Sequence, residues 1–177
     1  LSESPWVVSS MLTVPMIGWM PKLGTGRSKL ASYSIQKYGP QTGNDWQWFA
    51  DAGNGVGTNS TAKTSWLITT NNPNDANFPT NAAFQREWIR HLTNRWGFST
   101  NGGVRYYCLD NEHTLWHSTH RDVHPVGTTM QEIRDRLFEY GEVVKSVDPG
   151  ALIIAPEEWG WPGYLYSGYD WLWAGHH

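Results

Sequence analysis

Two groups of carboxylates stand where chemistry could be done: Asp110-Asn111-Glu112, and Glu157-Glu158 followed by Trp159-Gly160-Trp161. A carboxylic acid that is buried, or that sits beside a second negative charge, holds its proton more tightly and can deliver it to a leaving oxygen. Asp110 lies two residues from Glu112 and can supply part of that effect. The side-chain amide of Asn111 can donate to a substrate hydroxyl while accepting from another group. Taken alone, an Asn-Glu pair at the end of a strand is more readily explained by loop capping. The aromatic residues around it shift the balance.

Three other constellations compete for attention. His113, His117, His120 and His124 lie near Glu112 and Asp122, and His-x3-His on a helix places two imidazoles around zinc, so a metal-dependent hydrolase is the rival enzyme class. Thr114, Ser118, Thr119 and Pro125 make that segment a poor helix. Asp51, Asn54, Asn72 and Asp75 offer oxygen ligands suited to calcium, without EF-hand spacing, and turn-forming Asx residues explain them equally well. Twelve Trp and eight Tyr in 177 residues supply flat apolar faces with polar edges, suited to stacking on a ligand. Trp159 and Trp161, just past a strand end, are the preferred stacking residues, with Trp19 and Trp116 next; Trp88 and Trp96 fall on an apolar helix face and are assigned to the core.

These residues need elements to position them. Phe84, Trp88, Ile89, Leu92 and Trp96 repeat at helical spacing between Asn81 and Trp96, and Gly97 is a natural C-cap. Val104–Leu109 is rich in strand formers and gives way to the Asp110-Asn111-Glu112 group. A second helix is predicted over Met130–Val147, with Thr129 and Glu132 as a capping box, and Asp148-Pro149-Gly150 stops it. Ala151–Ala155 reads as a buried strand. Helix, strand, helix, strand implies the α/β class with parallel strands and right-handed crossovers, whose functional groups gather at the C-terminal strand ends. Upstream, Val14–Trp19 reads as a further strand and Ser32–Ile35 as a local pairing segment. Residues 39–80, rich in Gly, Asn and Thr, read as elaborated loop. No linker or repeat divides the chain. A non-catalytic sugar-binding module using Trp19, Trp116, Trp159 and Trp161 is a third reading, but such modules are antiparallel sandwiches, and the alternation over 81–156 argues against one.

Composition excludes other classes. The net charge is −3 and no basic run can track a phosphate backbone, which argues against nucleic acid and anionic membrane partners. The single Cys108 sits in an apolar strand, allows no disulfide within the chain and reads as an inert buried thiol. No stretch approaches membrane-spanning length, and Leu1-Ser2-Glu3-Ser4-Pro5 is not a signal peptide.

The string Gly103-Val104-Arg105-Tyr106-Tyr107-Cys108-Leu109-Asp110-Asn111-Glu112, with Leu115-Trp116 and Ser118-Thr119-His120-Arg121-Asp122-Val123-His124-Pro125, resembles the signature of glycoside hydrolase family 44. Further matches are Ser34–Gly39, Asp51–Val56, Asn72–Asp75, Val147-Asp148-Pro149 and Trp159-Gly160-Trp161. The resemblance implies a secreted, extracellular, retaining endo-β-1,4-glucanase or xyloglucanase, with xylan as a further substrate, built as a (β/α)8 TIM-type barrel joined to a β-sandwich. It implies that Glu112 is the general acid/base, that Asn111 helps bind the substrate or orient the second carboxylate, and that the partner is a β-glucan polysaccharide. No catalytic cofactor is implied; a structural calcium is, with Asn72 and Asp75 matching its loop. The nucleophile would come from a later strand. A full barrel takes about 250 residues, so residues 1–177 are expected to form a partial barrel that depends on the remainder of the same catalytic domain, its open sheet edges being left unpaired otherwise. The sequence departs from the family at His113, where Pro is usual, at His117, and at Glu157-Glu158, where uncharged residues are usual. Were the chain complete in itself, Glu157 or Glu158 would be the nucleophile. The terminal His176-His177 is either natural sequence or an appended remnant.

Overall fold

The computed structural model describes residues 9–22 and 31–174; the opening Leu1–Pro5 stretch and His176-His177 lie outside them. In chain order the elements are β1 (Met11–Val14), β2 (Trp19–Pro21), α1 (Ile35–Tyr38), β3 (Asn44–Asp45), β4 (Phe49–Gly53), β5 (Val56–Asn59), β6 (Thr64–Leu67), β7 (Asn77–Pro79), α2 (Ala82–Trp96), β8 (Tyr106–Leu109), α3 (Trp116–Thr119), α4 (Met130–Val147), β9 (Leu152–Ile154), α5 (Trp161–Leu165) and α6 (Gly168–Ala174). They form two compact units: one holds residues 1–18, 81–116 and 126–177, the other residues 19–80 and 117–125. The second unit opens and closes its main segment with β2 and β7, which pair antiparallel.

The first unit is mixed α/β. β8 is the middle strand of a parallel sheet ordered β1-β8-β9, with Val14 opposite Leu109 and Cys108 opposite Ile154. Tyr107, Cys108 and Leu109 are all buried, as expected of a central parallel strand covered on both faces. α2 and α4 pack against each other, and the core draws together Val14, Ile89, Leu92, Tyr107, Leu109, Ile133, Tyr140, Val143 and Val144. Each large side chain so buried contributes about 1.5–3 kcal/mol. α4 begins at the Thr129 cap that its sequence predicts, whereas Asn81, read as the first residue of α2, is its N-cap. Asn81 accepts from the Phe84 N–H at 3.1 Å and Thr129 from the Glu132 N–H at 3.1 Å, while Gly97 ends α2 at φ +87°, a conformation that costs other residues about 1 kcal/mol or more.

Several expectations need correction. The first strand ends at Val14, where it was expected to begin, because Pro15 carries no N–H to continue a ladder. Residues 39–80 are not plain loop: they hold β3 to β7, with β3 paired to β4 and β5 to β6. Those strands are two to five residues long and β6 is exposed along its whole length, so no period-two pattern reveals them. Trp96 is exposed, with the Arg95 guanidinium 5.2 Å from its ring; α2 buries Gln85, Ile89, Leu92 and Thr93 instead, and Trp88 is half-buried against the core.

In the second unit, Arg121 donates to the Ile68 carbonyl at 3.0 Å and the Gly55 carbonyl at 2.8 Å, and lies 5.0 Å over the Tyr33 ring. Gly55 has φ +74°, and a Cβ there would meet the guanidinium. The Ser32 hydroxyl donates to Asp122 at 2.6 Å and the Ser34 hydroxyl to Asp51 at 2.6 Å. Much of the matched signature is therefore a clasp for loops rather than chemistry.

Candidate active site

The parallel sheet directs Asp110-Asn111-Glu112 out of the C-terminal end of β8, and Glu157-Glu158 out of the end of β9. Asp110 is buried and Asn111 is exposed. Asp110 takes φ +62° and Glu112 φ +48°, two of the three non-glycine residues in that region among the described residues. Left-handed backbone costs about 1–3 kcal/mol per residue and persists only where the surroundings dictate it, most often at functional sites.

Those surroundings are visible. The Asp110 carboxylate accepts from the Met16 N–H at 2.5 Å, the Asn111 N–H at 2.7 Å and Trp116 Nε1 at 3.2 Å. The Glu112 N–H donates across to the Glu157 carbonyl at 3.0 Å, and the Glu112 carbonyl accepts from Leu115 at 2.9 Å. The Glu112 side chain is half-buried, and among the described residues no hydrogen bond reaches its carboxylate. A held backbone with an unengaged acid is what proton delivery to a bound oxygen requires.

The partner loop divides its two carboxylates. The Glu158 side chain is 1 % exposed, and its Oε1 lies 2.6 Å from Nε2 of His113, whose side chain is 4 % exposed. This contact lacks hydrogen-bond alignment. Glu158 Oε2 accepts from the Thr114 hydroxyl at 2.7 Å. Glu157 is half-buried, with Oε2 3.8 Å from Cys108 Sγ. Burial first, then the Glu157 charge, pushes the Cys108 thiol up, which leaves it protonated and inert.

The aromatic candidates separate sharply. Trp159 and Trp161 are exposed. Trp159 meets Trp171 at 6.0 Å between ring centroids, and Trp161 meets Tyr164 at 6.0 Å. Tyr166 also packs on Trp171, so an aromatic array lies beyond β9 that sequence reading found only in part; α5 and α6 are too short to show helical periodicity. Trp116 is a correction: it is fully buried, its indole donating to Asp110 beneath the Arg136 guanidinium, so its faces meet protein rather than ligand. Trp19 is half-buried in β2, in the second unit.

The metal candidates do not assemble. Both oxygens of Asp75 accept from the Lys37 ammonium, at 2.6 and 2.7 Å, and Oδ2 also accepts from the Tyr38 hydroxyl at 2.6 Å. Burial alone would raise the Asp75 carboxyl, but these hydrogen bonds and the Lys37 charge hold it below the usual carboxylate range. Asn72 accepts from the Asn74 N–H at 3.0 Å and caps the turn. An ammonium on the carboxylate and an engaged amide oxygen do not fit a calcium site at Asn72 and Asp75. Asx turns account for them. Nor does the histidine segment gather ligands: among the described residues no three or more His, Cys, Asp or Glu are placed to hold a metal ion.

The family model for glycoside hydrolase family 44 matches residues 3–177. The chain belongs to glycoside hydrolase family 44. It superposes on the crystal structure of CelM2, a bifunctional glucanase-xylanase from a metagenome library, with a TM-score of 0.87 and 58% identity, covering 96% of this chain and 32% of that one. It is 37% identical over 83 residues to endoglucanase A of Paenibacillus lautus (46% of this chain, 12% of the relative). It is 35% identical over 94 residues to beta-mannanase/endoglucanase A of Caldicellulosiruptor saccharolyticus (51% and 7%). The chain thus spans about a third of CelM2 and a smaller share of these two relatives.

Proposed function

We propose that these residues form part of the (β/α)8 catalytic barrel of a secreted, retaining endo-glycosidase acting on β-1,4-glucan in cellulose or xyloglucan and on xylan, with Glu112 as general acid/base. The observation that carries the reading is the placement of Glu112: left-handed backbone, half-buried, at the C-terminal end of the central parallel strand. Supporting it are the named activities of family members, endoglucanase and glucanase-xylanase among them. In a retaining mechanism Glu112 protonates the departing sugar oxygen while a second carboxylate attacks the anomeric carbon; Glu112 then takes a proton from the water that hydrolyses the glycosyl-enzyme. Asn111 presents its amide to a sugar hydroxyl, and Trp159 and Trp161 stack on pyranose faces. Glu158 is engaged by His113 and Thr114, and in this reading the nucleophile comes, as the family resemblance implies, from a later barrel strand. No helix among the described residues is long and apolar enough to cross a membrane.

The test compares Glu112→Gln with the unaltered enzyme on carboxymethylcellulose and xyloglucan, adding azide to the variant with an activated aryl glycoside. The expected result is a loss of about 10²–10⁴-fold on the polymers, with azide partly restoring turnover and yielding a β-glycosyl azide. Full activity in Glu112→Gln overturns the assignment.

A further inference from the structure

Glu112 is tied to the β9 loop by its own N–H on the Glu157 carbonyl. The next residue of each loop makes a second, close contact, His113 against Glu158, at 2.6 Å between Nε2 and Oε1 though without hydrogen-bond alignment. Thr114 adds a third, its hydroxyl on Glu158 Oε2 at 2.7 Å. One carboxylate therefore engages two consecutive residues following the candidate acid. It is closed over as well: a Cβ at Gly163 of α5 would stand 2.5 Å from Glu158 Oε2. The His113 backbone is held through its carbonyl, which accepts from the buried Thr128 hydroxyl at 3.1 Å; its ring lies edge-on to Trp116, 6.3 Å between centroids, and its Nδ1 is buried with no hydrogen-bond partner among the described residues.

A buried carboxylate with an imidazole is a poor device for stability, since desolvation offsets most of its attraction and an apolar pair of equal volume usually does as well. It is a good device for fixing geometry, because a dry, enclosed contact tolerates few alternatives. Between Asp110, anchored by Met16 and Trp116, and His113, anchored by Glu158, Glu112 has its left-handed backbone set from both sides.

We propose that His113, Glu158 and Thr114 are positioning residues for Glu112, holding its carboxyl in line with the leaving oxygen. This rests on the reading of Glu112 as general acid/base. A misplaced acid penalises substrates in proportion to their need for protonation. A poor leaving group suffers, whereas a dinitrophenolate departs unaided.

The experiment uses the complete enzyme containing these residues and measures kcat/KM, which reports the glycosylation step, for phenyl and 2,4-dinitrophenyl β-cellotriosides. Glu158→Gln, His113→Gln and Thr114→Val are compared with Glu112→Gln. The expected outcome is a loss of about ten-fold or more on the phenyl substrate in Glu158→Gln and His113→Gln, with a change under about three-fold on the dinitrophenyl substrate. Thr114→Val, which removes one hydrogen bond and keeps the pair, shows the same split at smaller size and serves if the other variants do not fold. Equal losses on both substrates, or none, overturn the positioning role. If Glu112→Gln itself shows no leaving-group split, the acid/base reading fails instead; if it shows the split and the three variants do not, only the positioning role fails.

Discussion

At the scale of single residues, Asp110 is the hinge of the site although it need never touch substrate. Its carboxylate satisfies two N–H groups and an indole, so Asp110→Ala leaves buried donors without partners. We expect a loss of about 3 kcal/mol, read as a lower denaturant midpoint at unchanged m. Tyr107 shows the opposite balance. Its hydroxyl is buried without a hydrogen-bond partner among the described residues, and burial, then the Asp148 charge, pushes it up to about 12. A phenol raised above its unfolded value of about 10 leaves stability intact below that pH and withdraws it as pH rises from about 10 to about 12, because only the unfolded chain ionises. Tyr107→Phe is expected to be neutral or stabilising by up to about 1 kcal/mol at pH 7 and to shallow the alkaline decline; a steeper decline would contradict the assignment. The acidic residues of the site were legible as residues, but the pairing of His113 with Glu158 was not. The two lie far apart in sequence, and no spacing rule joins the end of one strand to the end of another.

At the scale of elements, α2 and α4 were readable almost to the residue because period and stop signal agreed in each, with an N-cap signal as well in α4. Their caps stabilise them measurably: Thr129→Ala and Asn81→Ala should each cost about 1 kcal/mol. Lying on different helices with separate partners, they should add in the double variant within about 0.5 kcal/mol. Chemical denaturation of the two single variants and the double one checks both statements. The strands were legible where burial on both faces made them apolar, as in β8, and illegible where exposed short hairpins carry no pattern, as in β5 and β6. Trp116 and Trp96 exchanged roles for a related reason. A ring's side of a helix is decided by what packs there, not by its being aromatic.

At the scale of the molecule, the sheet β1-β8-β9 has β1 and β9 at its edges. Phe138 of α4 is 72% exposed, and Leu152 and Leu165 are exposed too. Paired and covered in the proposed barrel, these edges and side chains would otherwise invite association. We therefore expect residues 1–177 expressed alone to self-associate and bind a hydrophobic dye. A longer chain carrying the following barrel segments should run as a discrete species in light scattering and bind little dye. A well-behaved monomer from residues 1–177 would count against the partial-barrel reading.

By itself the sequence determined the α/β class of the first unit, the extents of its two long helices, the family, and the strand end that carries Glu112, because each is written in local periodicity, capping or an unbroken motif. Only the tertiary structure decided which tryptophans face outward, that Lys37 occupies the Asp75 carboxylate, that Arg121 and Asp122 clasp loops, and that Glu158 is bound to His113. These are contacts between residues remote in sequence, fixed by how strands and loops are brought side by side, and no local propensity encodes them.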